Sequence, residues 1–308
     1  MHLRHVIKLA CAAGLLFISS ANSASAGKVS LTAEETAWPT RHPVIRFAID
    51  PDNASAWDLQ GDIHMEQQKP EEALAAYARA IDSRENNYAV LFKRSLLLLQ
   101  LGNYEAAQAD ATELLRIAPQ STRANYVQGV VHFQAGRYEE AIAALLIAEP
   151  ASGQFPLVLF FLGGAQLIEG QVDQASVNAA RFNKIAPESI PGRKLLAVIR
   201  LQEGRYGDVQ LLLRPVLDAD PDDVGALNLM SNALLREGST DEAITLLSRA
   251  AELQPESPVA QVRLGAGLLI GGEDDLAGQH MEAALALNPE FQQADILLAI
   301  NHVKKQDY

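Results

Sequence analysis

Six glycines, Gly102, Gly136, Gly170, Gly204, Gly238 and Gly272, stand 34 residues apart with no insertion or deletion between them. A second row keeps the same step: Ala73, Ala107, Ala141, Ala175, Val209, Ala243 and Ala277. A third row holds Pro119, Pro187, Pro221, Pro255 and Pro289, and Pro51 falls on its phase. A strict period of this length across residues 54–291 marks a stacked repeat, in which chain length counts copies of one unit.

Each row has a physical cause. The prolines sit in acidic or polar clusters such as Asp220-Pro221-Asp222-Asp223, where they end one helix and set the turn into the next. The glycines, followed two places later by Tyr104, Tyr138 or Tyr206, permit the positive φ of a short turn between helices. The alanine three places beyond that aromatic lies early in a second helix, where a larger side chain would hold the two helices apart. Between the markers apolar residues recur at helical spacing, as in Leu227, Met230 and Leu234 or Ala243, Leu246, Leu247 and Ala250. Each unit therefore reads as an antiparallel pair of helices of about 12–15 residues. One such pair cannot bury its apolar face alone, but a stack of pairs can.

These residues resemble the tetratricopeptide repeat family. The first unit supplies Trp57, Gly61, Ala73, Tyr77 and Ala80, the third Gly129, Gly136, Tyr138, Ala141 and Ala148, and the sixth Leu227, Gly238, Ala243, Ala250 and Pro255. Gln60 departs from the pattern at the first-helix leucine, and Glu85 and Gly153 depart at the closing proline, which puts those local turns in question. The resemblance covers residues 54–308. It implies an all-α, right-handed α-solenoid of about seven helix pairs over 54–291, with residues 292–308 as the first helix of a shortened eighth unit.

Residues 1–26 have the layout of a secretory signal peptide: Arg4 and Lys8, an apolar run from Leu9 to Ile18, then Ala24-Ser25-Ala26 before a cleavage point. The run falls short of the roughly 20 apolar residues of a membrane span. Lipidation at Cys11 is disfavoured, because Lys8 precedes it and the apolar run continues past it. Cleavage after Ala26 removes two cations and no acid, taking the net charge from −13 to −15, and leaves no cysteine. The expected location is periplasmic or secreted. Residues 27–53 read as an irregular lead-in or cap interrupted by Pro39 and Pro43, with Phe47–Asn53 like the last turn of a preceding unit. The stretch from His42 to Asp52 also resembles the opening strand of periplasmic solute-binding sensor domains, whose remaining body is absent. At the far end Ile296, Leu297, Leu298, Ile300 and Val303 put apolar residues on more than one helix face: either a partner or a second copy covers them, the latter through Ile296, Leu297 and Ile300, or the chain is a shortened relative of a longer array. That helix, with the export signal, resembles exported tetratricopeptide proteins of exosortase (PEP-CTERM) exopolysaccharide systems.

Catalytic constellations are missing. A charge of −13 disfavours nucleic acid and anionic lipid as partners. His64, His132 and His302 share one repeat phase but lie two and five units apart, too far to share a metal when helices pack roughly 8–10 Å apart. Gly265–Gly271 imitates a dinucleotide loop but sits within a helix with no strand before it. The acid pairs Glu71-Glu72, Glu139-Glu140, Asp222-Asp223 and Asp241-Glu242 fall at turns and helix starts, where they favour the helix dipole. No cofactor or metal is expected.

The family resemblance implies a concave groove lined by positions 2, 5, 9, 12 and 13 of each first helix. Carried onto this chain, it contains Phe92, Leu96, Leu99, Arg123, Tyr126, Val130, Phe133, Phe160, Leu167, Ile168, Lys194, Val198, Leu201, Asn228, Asn232 and Arg236. The aromatics Phe92, Tyr126, Phe133 and Phe160 suit an extended peptide or a helix laid in the groove. Arg123, Lys194 and Arg236 suit a carboxylate or an acidic motif. The expected function is a non-enzymatic adaptor for protein segments in the cell envelope. A recruiting subunit of an envelope glycosyltransferase complex and a self-associating structural protein are the alternatives.

Overall fold

The computed structural model describes residues 53–306. The expected signal peptide, and the lead-in up to residue 52, lie outside the described residues. Among the described residues there are fifteen α-helices, one 3-10 turn and no strand. They are α1 (Ala54–Glu66), α2 (Pro70–Asp82), α3 (Tyr88–Gln100), α4 (Tyr104–Ile117), α5 (Thr122–Gln134), α6 (Tyr138–Ala148) and α7 (Leu157–Ile168). There follow α8 (Val172–Ile185), α9 (Ile190–Gln202), α10 (Tyr206–Ala219), α11 (Val224–Glu237), α12 (Thr240–Leu253), α13 (Pro258–Gly271), α14 (Asp274–Leu287) and α15 (Gln292–Gln306). Two compact bodies divide after Gln171, so α1–α7 belong to one and α8–α15 to the other.

The hairpin turns explain the glycine row. All six glycines take φ between 72° and 85°. At Gly102 the N–H donates to the Leu99 carbonyl at 3.1 Å, and the next N–H, of Asn103, reaches back to Leu98 at 2.9 Å. Those two bonds satisfy carbonyls left open at the end of α3. The α1–α2 turn is the exception, because Gln68 occupies the left-handed position with φ 58°. At the other ends, Asn53, Ser121, Ser189, Asp223 and Ser257 each accept a hydrogen bond from the N–H three residues on, capping α1, α5, α9, α11 and α13.

Small residues set how closely the helices of a pair approach. Ala73, Ala107, Ala141, Ala175, Ala243 and Ala277 have no exposed surface. In α1, a Cβ on Gly61 would lie 2.4 Å from the Tyr77 ring of α2, and one on Gly129 of α5 would lie 2.5 Å from Leu145 of α6. The larger side chains then fill the space between successive pairs. In the first body Tyr77, Ala80, Val90 and Leu97 form one such cluster. In the second, Val209, Leu213, Met230 and Leu234 form another.

Ion pairs join consecutive units of the first body. Lys93 on α3 bridges Asp58 and Asp62 on α1, at 2.7 Å to each, and the Tyr77 hydroxyl donates to Asp62 at 2.8 Å. Burial works against the Lys93 charge, but the two carboxylates outweigh it and hold its pKa above the usual value. Burial and then Asp62 push the Tyr77 hydroxyl far above its ordinary range. Within the next pair Arg94 grips Asp110 through two bonds, of 3.0 and 2.6 Å, and that carboxylate is almost wholly buried.

Candidate protein-binding face

The first helices carry the residues that the sequence assigns to binding, and the structure divides them sharply. The aromatics lie in the packing. Phe92 and Tyr126 are 6% and 2% exposed, and Phe133 and Phe160 are fully buried. Phe133 meets Tyr138 and Phe161 edge-on at 5.4 Å, and Phe160 also meets Phe161 edge-on at 5.4 Å. With so little exposed surface the four rings pack against neighbouring side chains, so the expectation that they line an open groove is corrected. Leu99, Val130, Leu167 and Val198 are buried as well, while Leu96, Ile168 and Leu201 are half-buried. Burial raises the Tyr126 hydroxyl pKa far above its ordinary value.

The cations separate too. Lys194 does not present a free ammonium, because Asp223 takes it at 2.5 and 2.6 Å. Its expected role of orienting a partner carboxylate is corrected by this internal pair. Asn228 is half-buried and donates to the Val224 carbonyl at 2.8 Å. Three members of the predicted set stand exposed: Arg123 in the first body, and Asn232 and Arg236 in the second. Among the described residues Arg123 has no ion pair, and its guanidinium lies 5.5 Å from the centre of the Phe92 ring.

One geometric rule accounts for much of this. In the three units that end at Phe155, Asp223 and Phe291, the last residue of the unit lies against its fifth position or the cluster around it. Phe155 stacks on Tyr126 with ring centres 5.7 Å apart, and Asp223 pairs with Lys194. Phe291 packs on the cluster that contains Val262. Side chains assigned to binding at position 5 are thus already engaged from within the chain. Phe155 and Phe161 are missing from the sequence-derived set. The signal for Phe155 was available: it stands where five other units place a capping Asn, Ser or Asp.

The histidines keep to their own units. Gln60 meets His64 at 3.4 Å, and Gln128 meets His132 at 2.6 Å. Among the described residues no three His, Cys, Asp or Glu side chains converge to hold a metal ion. No described helix is long and apolar enough to cross a membrane.

This architecture of helix hairpins stacked in register, with a small-residue seam inside each pair, is that of a helical repeat scaffold. Tetratricopeptide repeat models match residues 44–89, 92–156 and 200–266, together more than half of the sequence. The chain belongs to the tetratricopeptide repeat family, whose members serve in general as scaffolds for protein interactions. It is similar in fold to a tetratricopeptide repeat protein from Parabacteroides merdae, at 13% identity and TM-score 0.51, covering 81% of this chain and 98% of that one. It is also similar to a chain of the APC/C hetero-tetramer Cut9-Hcn1, at 16% identity and TM-score 0.59, covering 82% and 50%. A shorter likeness is to MamA from AMB-1, at 25% identity and TM-score 0.50, covering 54% and 98%. No curated protein matches the sequence.

Proposed function

We propose that this protein is a non-enzymatic adaptor, exported to the cell envelope, that holds segments of partner proteins against the exposed polar parts of its first helices. The observation that carries the reading is the pair of exposed arginines, Arg123 and Arg236, at positions the family uses for binding. Both are exposed cations in a chain of net charge −13, which favours acidic segments as ligands. The signal-like layout of residues 1–26 supports export, and the resemblance at α15 supports a place in an exopolysaccharide or PEP-CTERM export system. Capture of partners from envelope extract by the full chain, compared with Arg123→Glu and Arg236→Glu, tests the face. Unchanged capture by both variants rejects it. Amino-terminal sequencing of the exported product should begin at Gly27, and a product that starts at Met1 rejects cleavage.

A second reading, self-association, is favoured by one further observation. Ile296, Ile300 and Val303 are 62%, 50% and 60% exposed and follow one another along a single face of α15. Leu297, expected on that surface, instead packs inward against Leu264, Leu268 and Ala294 among others.

A further inference from the structure

We propose that the gap between Phe92 and Tyr126 is a docking site for an extended partner segment presenting an aromatic side chain next to an acidic one, and that Phe155 is its built-in occupant. The inference deepens the adaptor reading and rests on it.

Phe155 is placed at a local cost. Five first helices begin with a side-chain cap, whereas α7, which starts at Leu157 behind Pro156, has no side-chain capping bond, as is also the case for α3. In place of a cap the chain gains a ring that stacks on Tyr126 at 5.7 Å and meets Phe92 edge-on at 5.6 Å. The other phenylalanine at this repeat position, Phe291, packs on an aliphatic cluster and has no such pair of rings.

The connection carrying Phe155 differs from the others. Second helices α4, α8, α10, α12 and α14 end at equivalent positions, but α6 stops three residues earlier and gives way to a 3-10 turn over Glu149–Ala151. Gly153 and Gln154 are exposed, and the ring of Phe155 is only half-buried. The N–H groups of Ser152, Gln154 and Phe155 donate to Glu149 and Ala151, all within the connection itself. The one bond that ties Phe155 to α7 runs from the Val158 N–H to the Phe155 carbonyl at 3.0 Å, so a turn of the side chain about its own bonds withdraws the ring without breaking a backbone bond. Beside the gap stands Arg123, exposed and over the Phe92 ring, and among the described residues no carboxylate pairs with it. That cation supplies the reason for an acidic neighbour to the incoming aromatic.

The probe is the acetylated, amidated peptide of residues 149–156, in three forms: native, with Glu in place of the final Pro, and with Ala in place of the Phe. Each is titrated by NMR into the full chain and into Phe155→Ser, a change that empties the gap and places there the residue type found at the matching position 121. The Phe-bearing peptides should bind Phe155→Ser at least about tenfold more tightly than the unaltered chain, because the internal ring no longer competes. The Glu form should bind more tightly than the native form, and Arg123→Glu should abolish that gain. The Ala form should not bind. Equal affinity for the two chains, or binding to neither, overturns the proposal while leaving partner capture through Arg236 as a separate result. A second measurement needs no substitution: excess Glu-form peptide should speed hydrogen exchange at the amides of residues 152–155 in the unaltered chain. Unchanged exchange there overturns displacement of Phe155.

Discussion

At the scale of single residues, glycine has two separate roles here, and they respond differently to substitution. In the turns it supplies positive φ; inside α1 and α5 it leaves room for the facing helix. A Cβ on Gly129 would lie 2.5 Å from Leu145 Cγ and 3.3 Å from the Leu145 backbone nitrogen, so the neighbour cannot simply rotate away. Gly129→Ala is expected to cost about 2 kcal/mol in urea denaturation, as overpacking typically does. Gly153→Ala, with nothing within 4 Å of its added Cβ, should stay within about 0.5 kcal/mol of the parent. The role of Gly129 as a close-approach position was readable from the repeat pattern. Its partner was not, because the pattern does not say which side chain of the second helix sits opposite.

Two histidines set a pH dependence at the same scale. Burial, and then the charge of Arg137, holds His132 below its ordinary pKa of 6.5 against the opposing pull of Glu140, and burial alone does so for His280. The folded state thus favours neutral imidazole. Below about pH 6.5 the unfolded chain binds more protons than the folded one, so stability falls as pH drops through that window and is fully present above it. The melting temperature should therefore fall between pH 7 and pH 5. The drop should be smaller in the double variant His132→Gln, His280→Gln, and an identical drop in both chains rejects the assignment.

At the scale of elements, the turns and the ion pairs between helices are the points of leverage. Gln68 takes the left-handed backbone position that glycine fills in six other units. A non-glycine residue there costs roughly 1–2 kcal/mol, part of which glycine returns in unfolded-chain entropy. Gln68→Gly should accordingly stabilise the chain by about 0.5–1 kcal/mol in thermal or urea unfolding. The Arg94–Asp110 pair works in the opposite sense. Asp110→Ala leaves a partly buried guanidinium without its anion and should cost about 3 kcal/mol, at the low end of the range because Arg94 is a quarter exposed. Helix boundaries were legible in the sequence because glycine, proline and alanine act locally. Arg94 and Asp110 belong to different helices, and pairing across helices depends on packing that no local pattern records.

At the scale of the whole molecule, each body carries its own hydrophobic core. In the second body α15 buries Ala294 and packs Leu297 and Leu298 inward, while Ile296, Ile300 and Val303 face solvent. If that stripe pairs two copies, sedimentation velocity should show a dimer of the full chain at micromolar concentration, and Ile296→Glu with Ile300→Glu should return it to monomer. A monomer in both cases rejects self-association. Replacing exposed residues leaves the inward face intact, so circular dichroism of the double variant should match the parent.

The sequence alone determined the architecture, the unit length and the turn positions, because repeated backbone constraints print themselves as rows of glycine, alanine and proline. It also marked position 5 of each first helix as a binding position by resemblance. Only the tertiary structure decided that Phe92, Tyr126, Phe133 and Phe160 are packing residues and that Lys194 is neutralised by Asp223. The reason is geometric. Which side chains face solvent in a stacked helical protein depends on what the next connection inserts beside them, and a single ring such as Phe155 turns a candidate surface into core.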